Sequence, residues 1–206
     1  MKNEKKHFTL MEMLVVIAII GLLAALSFPV VGRVREKSRE TDAAAGANNI
    51  SLALKQYKAA YQKFPSVDTA EPVGGGDGSA ASGYSSLNDY DKIIFILSGV
   101  LPGGGADDSN FAAENKKKTV FLNPTPEYMK AGGFYANPWG RRYYIVYSKT
   151  GKNTIEFKRP KNGTLSSDTI KVGSDVAVFS ELNPKGSDFK DGSRLATSWG
   201  GVIDVK

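Results

Sequence analysis

From Phe8 to Val31 the chain is apolar at almost every position, and between Met13 and Phe28 it carries no charge. About 20 apolar residues match the hydrocarbon core of a bilayer, so this stretch predicts a membrane-spanning helix. The pattern then changes. Ile50, Ala53, Leu54, Tyr57, Ala60, Tyr61 and Phe64 recur at steps of three and four, which places them on one face of an amphipathic helix ending near Pro65. Taken together these segments predict one helix from about Phe8 to about Lys63, roughly 80 Å long at 1.5 Å per residue. Pro29 removes a backbone donor inside it and is expected to bend or loosen the rod.

Glycine runs at Gly74 to Gly78 and Gly103 to Gly105 break the middle of the chain and read as flexible connections, because they lack the strand-to-helix setting of a phosphate loop. Between them Asn88 to Leu97 predicts a short helix, with Asn88 as its cap and Gly99 as its stop. Tyr143 to Tyr147 and Thr154 to Lys158 are rich in aromatic and β-branched residues and flank Thr150-Gly151-Lys152-Asn153, a hairpin signal. Val176 to Ser180 predicts a third strand. An antiparallel sheet of about three strands needs a cover, and the apolar face of the long helix needs one too. The expected fold class is therefore α+β: a long N-terminal helix laid on a small C-terminal antiparallel sheet.

Glu12 is the one carboxylate inside the apolar run, behind a basic leader reading Lys5-Lys6-His7. An acid within a membrane helix costs about 2.5–3.5 kcal/mol, which makes it a functional candidate in need of a partner. The alternative is that Glu12, near the helix end, reaches the headgroups. The run is longer than the apolar core of a secretory signal and continues into Arg33-Val34-Arg35-Glu36-Lys37, so it reads as an anchor that is kept. Lys2, Lys5 and Lys6 precede it while Arg33, Arg35, Lys37 and Arg39 follow, and this balance leaves the orientation open.

The string KKHFTLMEMLVVIAIIGLLAAL resembles the prepilin-type (class III) leader and first helix of type IV pilins and of type II secretion pseudopilins. The resemblance implies a leader (residues 1–7), a transmembrane or filament-core helix (8–31), an amphipathic continuation (32–65) and a globular head (66–206). It also implies cleavage between His7 and Phe8 by a prepilin peptidase, methylation of the new Phe8 amine, and a bend at Pro29. Glu12 would then meet the Phe8 amine of a neighbouring subunit and set the axial register, since a buried carboxylate is tolerable when a cation is paired with it. One departure is His7, where such leaders usually carry Gly.

A second resemblance lies in Asn137-Pro138-Trp139-Gly140, followed by the tyrosine-rich strand, which is similar to the Asp-Pro-Trp-Gly segment of major pseudopilins; Asn137 replaces the Asp. Val176 to Ser180 and Ser198-Trp199 resemble the end of those chains. Trp139 is expected to pack in the head. Many such proteins hold calcium in the C-terminal loop, and Asp188 and Asp191 are the candidate oxygen donors here, diluted by Lys185, Lys190 and Arg194. Calcium is the one cofactor the sequence suggests.

Composition narrows the rest. There is no Cys, so no disulfide can hold an exported head together, and the sole His lies in the leader. Nucleophilic Cys-His or Ser-His chemistry and histidine-based metal catalysis are thereby excluded, and Asp107-Asp108 sits in a glycine-rich loop with nothing to set two acids apart. No enzyme is expected. Net charge is +6, too mild to name a polyanion, and Lys116-Lys117-Lys118 reads as a solvated turn, so nucleic acid is not an expected partner. The implied partners are further copies of the chain, other pseudopilins, the peptidase and methylase, an assembly ATPase with its inner-membrane platform, and inner-membrane lipid. The implied location is the bacterial inner membrane, single-pass, with the head in the periplasm or outside the cell. An adhesive or DNA-uptake pilin, and an anchored binding protein that never polymerises, stand as the alternatives.

Overall fold

The computed structural model describes residues 9–67, 69, 72–74, 88–99, 113–124, 126–129, 134–161, 164–182 and 194–204, with side chains at all of these except 26–31, 126, 159–161, 164–166 and 204. The chain divides into two compact units, Met1–Ser38 and Arg39–Lys206. Helix α1 spans Leu10–Tyr61 and is helical through Pro29. Its ends fall within two residues of the predicted ones. The C-terminal stop is a left-handed residue, Gln62 at φ 57°, whose N–H donates to the Lys58 carbonyl at 2.8 Å.

In the second unit a second helix, α2 (Asp89–Ser98), and seven strands follow: β1 (Val73–Gly74), β2 (Tyr144–Tyr147), β3 (Ile155–Lys161), β4 (Thr164–Val172), β5 (Val176–Glu181), β6 (Arg194–Thr197) and β7 (Gly201–Asp204). Among the described residues β1-β2-β5-β6-β7 form one antiparallel sheet in that order, and β3-β4 form a separate ribbon. The sheet is covered on both sides. Ile145, Tyr147, Val176 and Val178 point to the helices and meet Ala47, Ile50, Ala53, Leu54 and Tyr57 of α1 and Ile93, Ile96 and Leu97 of α2. Tyr144, Val146, Ala177 and Phe179 point the other way, onto Ile155, Phe157 and Val172 of the ribbon. The stripe on α1 is thus core, with Ala60 and Tyr61 half-buried at its end.

The expected hairpin of Tyr143 to Tyr147 with Thr154 to Lys158 does not form. Instead β2 pairs with β5, Tyr144 opposite Phe179 and Tyr147 opposite Val176, while β3 pairs with β4. The reason is in the burial pattern. All positions of β2 and β5 are buried, so each needs a central place in the sheet. Strand β3 alternates, Ile155 and Phe157 in, Glu156 and Lys158 out, and β4 matches it with Val172 and Ile170 facing those apolar residues across the ribbon. An alternating strand covers one face and no more. The sheet accordingly has five strands where about three were expected, and α2 follows its prediction: Asn88 caps it by accepting the Asp91 N–H at 2.9 Å, and Gly99 ends it at φ 73°.

Candidate assembly site

The first turns of α1 are apolar and uncovered. Met13, Leu14, Val15, Val16 and Ile17 are all exposed, and five successive positions exceed a full turn of 3.6 residues, so every face of the helix is open here. Leu10 is 83% exposed and Ile17 66%, so among the described residues nothing shelters them. A helix apolar all round belongs in a lipid or protein interior. Among the described residues no helix is long and apolar enough to cross a membrane; in the sequence the apolar run extends on through 26–31.

At its start Thr9 and Glu12 form a reciprocal cap. Glu12 Oε2 accepts the Thr9 N–H at 2.8 Å and the Thr9 hydroxyl at 2.9 Å, and Thr9 Oγ1 accepts the Glu12 N–H at 3.2 Å. This is a capping box, and it also sets a negative group against the positive end of the helix. Both bonds to the carboxylate fall on Oε2, and Oε1 stays open among the described residues. Sequence reasoning singled out Glu12 and overlooked Thr9, although the Thr-x-x-Glu spacing ahead of an apolar run is the signature of this motif. His7 and Phe8 lie outside the described residues, as do Asp107, Asp108, Asp188, Asp191 and the runs at 75–78 and 103–105. Pro29 is described by its backbone alone.

The Asn137-Pro138-Trp139-Gly140 segment is a turn built around one buried amide. Asn137 Oδ1 accepts the N–H groups of Trp139 and Arg141, both at 3.0 Å, and Nδ2 donates to Ser180 Oγ on β5 at 2.6 Å. Ser180 Oγ in turn donates to the Glu181 carbonyl. The buried Glu181 side chain lies 3.8 Å from Arg141. An aspartate at 137 could accept the same two N–H groups but could not donate to Ser180 Oγ, so the amide suits this site. Trp139 packs on Ala43, Leu182 and Ala196 as a half-buried residue of the head. Lys116 and Lys117 form an exposed turn, with Lys117 Nζ donating to the Ala60 carbonyl at 3.2 Å. Among the described residues no cluster of three His, Cys, Asp or Glu side chains could hold a metal.

No family model matches the chain, and no solved structure matches it. Curated proteins do. Fimbrial protein Q of Moraxella bovis is 34% identical over 108 residues, covering 50% of this chain and 62% of the relative. A fimbrial protein of Neisseria meningitidis serogroup A is 29% identical over 122 residues, covering 59% and 67%. A type IV major alpha-pilin of Moraxella bovis is 37% identical over 76 residues, covering 35% and 48%. The chain thus spans less than two thirds of the first of these relatives. An uncovered apolar helix that runs on into a helix packed on a sheet is the arrangement the N-terminal motif implied, and in sequence the chain is similar to type IV fimbrial proteins of two genera.

Proposed function

We propose that this chain is the structural subunit of a type IV pilus-like filament, polymerised through its N-terminal helix. The observation that carries this reading is the first part of α1, apolar on every side and uncovered, with one acid fixed at its tip. Such a surface gains by exchanging lipid for copies of itself. In this reading the precursor sits in the inner membrane as a single-pass protein, is cut between His7 and Phe8 and methylated at Phe8. Glu12 Oε1 then accepts the Phe8 amine of the next subunit, while Oε2 keeps its bonds to Thr9. Removal of either charge leaves the other stranded in low dielectric. The chain carries no nucleotide-hydrolysing motif of its own, so a separate ATPase and membrane platform would drive assembly. In this reading its work is mechanical, in keeping with relatives that are named fimbrial proteins.

The fimbrial names of the relatives favour a surface fibre over a periplasmic secretion pseudopilus; the Asn137 turn is what keeps the second reading in play. Deleting the gene separates the two, since loss of surface fibres supports the first and loss of an exported protein the second. A Glu12→Leu variant should insert and be processed normally yet yield few filaments in electron micrographs; abundant filaments would end the register role. Mass spectrometry should find a methylated Phe8 terminus, and an intact Met1 in a host with the peptidase would leave only an anchored, non-polymerising protein. Asp188 and Asp191 remain the calcium candidates: calcium should raise the melting temperature of the unaltered chain and not that of an Asp188→Ala, Asp191→Ala variant.

A further inference from the structure

Two arginines follow the apolar run of α1 almost at once. Arg33 and Arg35 are part of the helix, both with exposed side chains, and the exposed Val34 stands between them. At 1.5 Å per residue the uncharged stretch from Met13 to Val31 is about 28 Å long, close to the roughly 30 Å hydrocarbon core of a bilayer. With Glu12 at one boundary of that core Arg33 falls at the other, where a long cationic side chain can reach out of the apolar layer.

The plain explanation is a solvated helix face, but these residues do not share a face. Over two residues an α-helix turns about 200°, so Arg33 and Arg35 leave opposite sides of α1 at nearly the same level. A protein seated against one side would meet one of them. Headgroups surround a helix and meet both. The neighbouring charges have interactions of their own: Glu40 accepts Arg194 at 2.7 Å, and the half-buried Glu36, one turn on from Arg33, is engaged, as are Lys37 and Arg39. Among the described residues no acid pairs with Arg33 or Arg35.

We propose that Arg33 and Arg35 select anionic phospholipid, each guanidinium holding the phosphate of a phosphatidylglycerol-type headgroup in the leaflet at the C-terminal end of the span. The guanidinium fork matches phosphate oxygens two at a time, and a lipid with net negative charge draws the cation more strongly than a zwitterionic one. This rests on the single-pass membrane reading above and adds to it a lipid class and the residues that choose it. Joining a filament breaks these contacts, so lipid charge sets how readily a subunit leaves the bilayer. The test places the full chain in nanodiscs of equal phosphatidylglycerol and phosphatidylcholine and reads the lipids that stay bound by native mass spectrometry. Phosphatidylglycerol should be retained in excess, and an Arg33→Gln, Arg35→Gln variant should lower that excess by about fivefold or more, the effect expected of a cation near an anionic surface. Lys2, Lys5 and Lys6 are present in both chains, so the difference isolates the two arginines. An Arg33→Lys, Arg35→Lys variant should keep a preference, because the charge is retained, and all three chains should melt at the same temperature. An excess that is unchanged in the Gln variant would overturn the lipid site and leave the membrane span standing. A chain that enters neither these discs nor discs of phosphatidylcholine alone would overturn both.

Discussion

Gly46 faces inward on α1, and a methyl group built there would lie 2.1 Å from the Tyr143 hydroxyl oxygen and 2.8 Å from its ring carbon. Tyr143 is only 2% exposed and has nowhere to retreat. Gly46→Ala gains up to about 1 kcal/mol of helix propensity and loses about 1–3 kcal/mol to overpacking. The net effect should be a lower melting temperature, partly restored when Tyr143→Phe removes the nearest atom. Charge is as tightly placed. Asp91 and Arg142, 51 residues apart, join through two hydrogen bonds of 2.8 and 3.0 Å, and both side chains are almost wholly buried. Arg142→Met strands the carboxylate and should cost about 3–5 kcal/mol by urea unfolding, whereas Lys92→Ala, at the half-buried partner of the exposed Asp89, should stay within about 0.5 kcal/mol. Neither Gly46 nor this pair was legible in the sequence, because each is defined by a neighbour that only the fold supplies.

Elements were more legible where their signals are local. Asn88 and Gly99 bracket α2 as their chemistry predicts, and the three- and four-residue spacing of Ile50, Ala53, Leu54 and Tyr57 marked the buried face of α1. Asn88→Ala should destabilise the head by about 0.5–2 kcal/mol, measurable as a shifted denaturation midpoint at constant slope. Strand existence was readable too, at Tyr144–Tyr147, Ile155–Lys161 and Val176–Glu181. Strand partnership was not. The turn residues at Thr150 to Asn153 argue for joining neighbours, but β2 is buried on both faces and β3 on one, and that difference decides the partner. The alternation in Ile155-Glu156-Phe157-Lys158 held the clue. Strand β4, with Ser167, Asp168 and Thr169 exposed, carries too few apolar residues to announce itself.

At the scale of the whole molecule, the need of a helix stripe and a lone sheet for each other's cover was enough to foresee helix on sheet, while the ribbon over the far face was not foreseen. The core this builds is rich in tyrosine. Burial pushes the hydroxyls of Tyr90, Tyr143, Tyr144 and Tyr135 above the ordinary tyrosine range. Below about pH 10 both folded and unfolded chains keep these protons; above it the unfolded chain releases them first, so folding is progressively disfavoured. The urea midpoint should therefore hold steady from neutrality to about pH 9 and fall beyond about pH 10. A midpoint indifferent to alkali would contradict this. On the processing proposed above, the Thr9–Glu12 cap also bears on where a protease could cut. Scission after His7 leaves Thr9 acylated by Phe8, so its amide proton and the cap both survive. Scission one bond later would turn that amide into a free ammonium, and the acid would then neutralise its own chain's terminus, leaving it nothing to offer a neighbour.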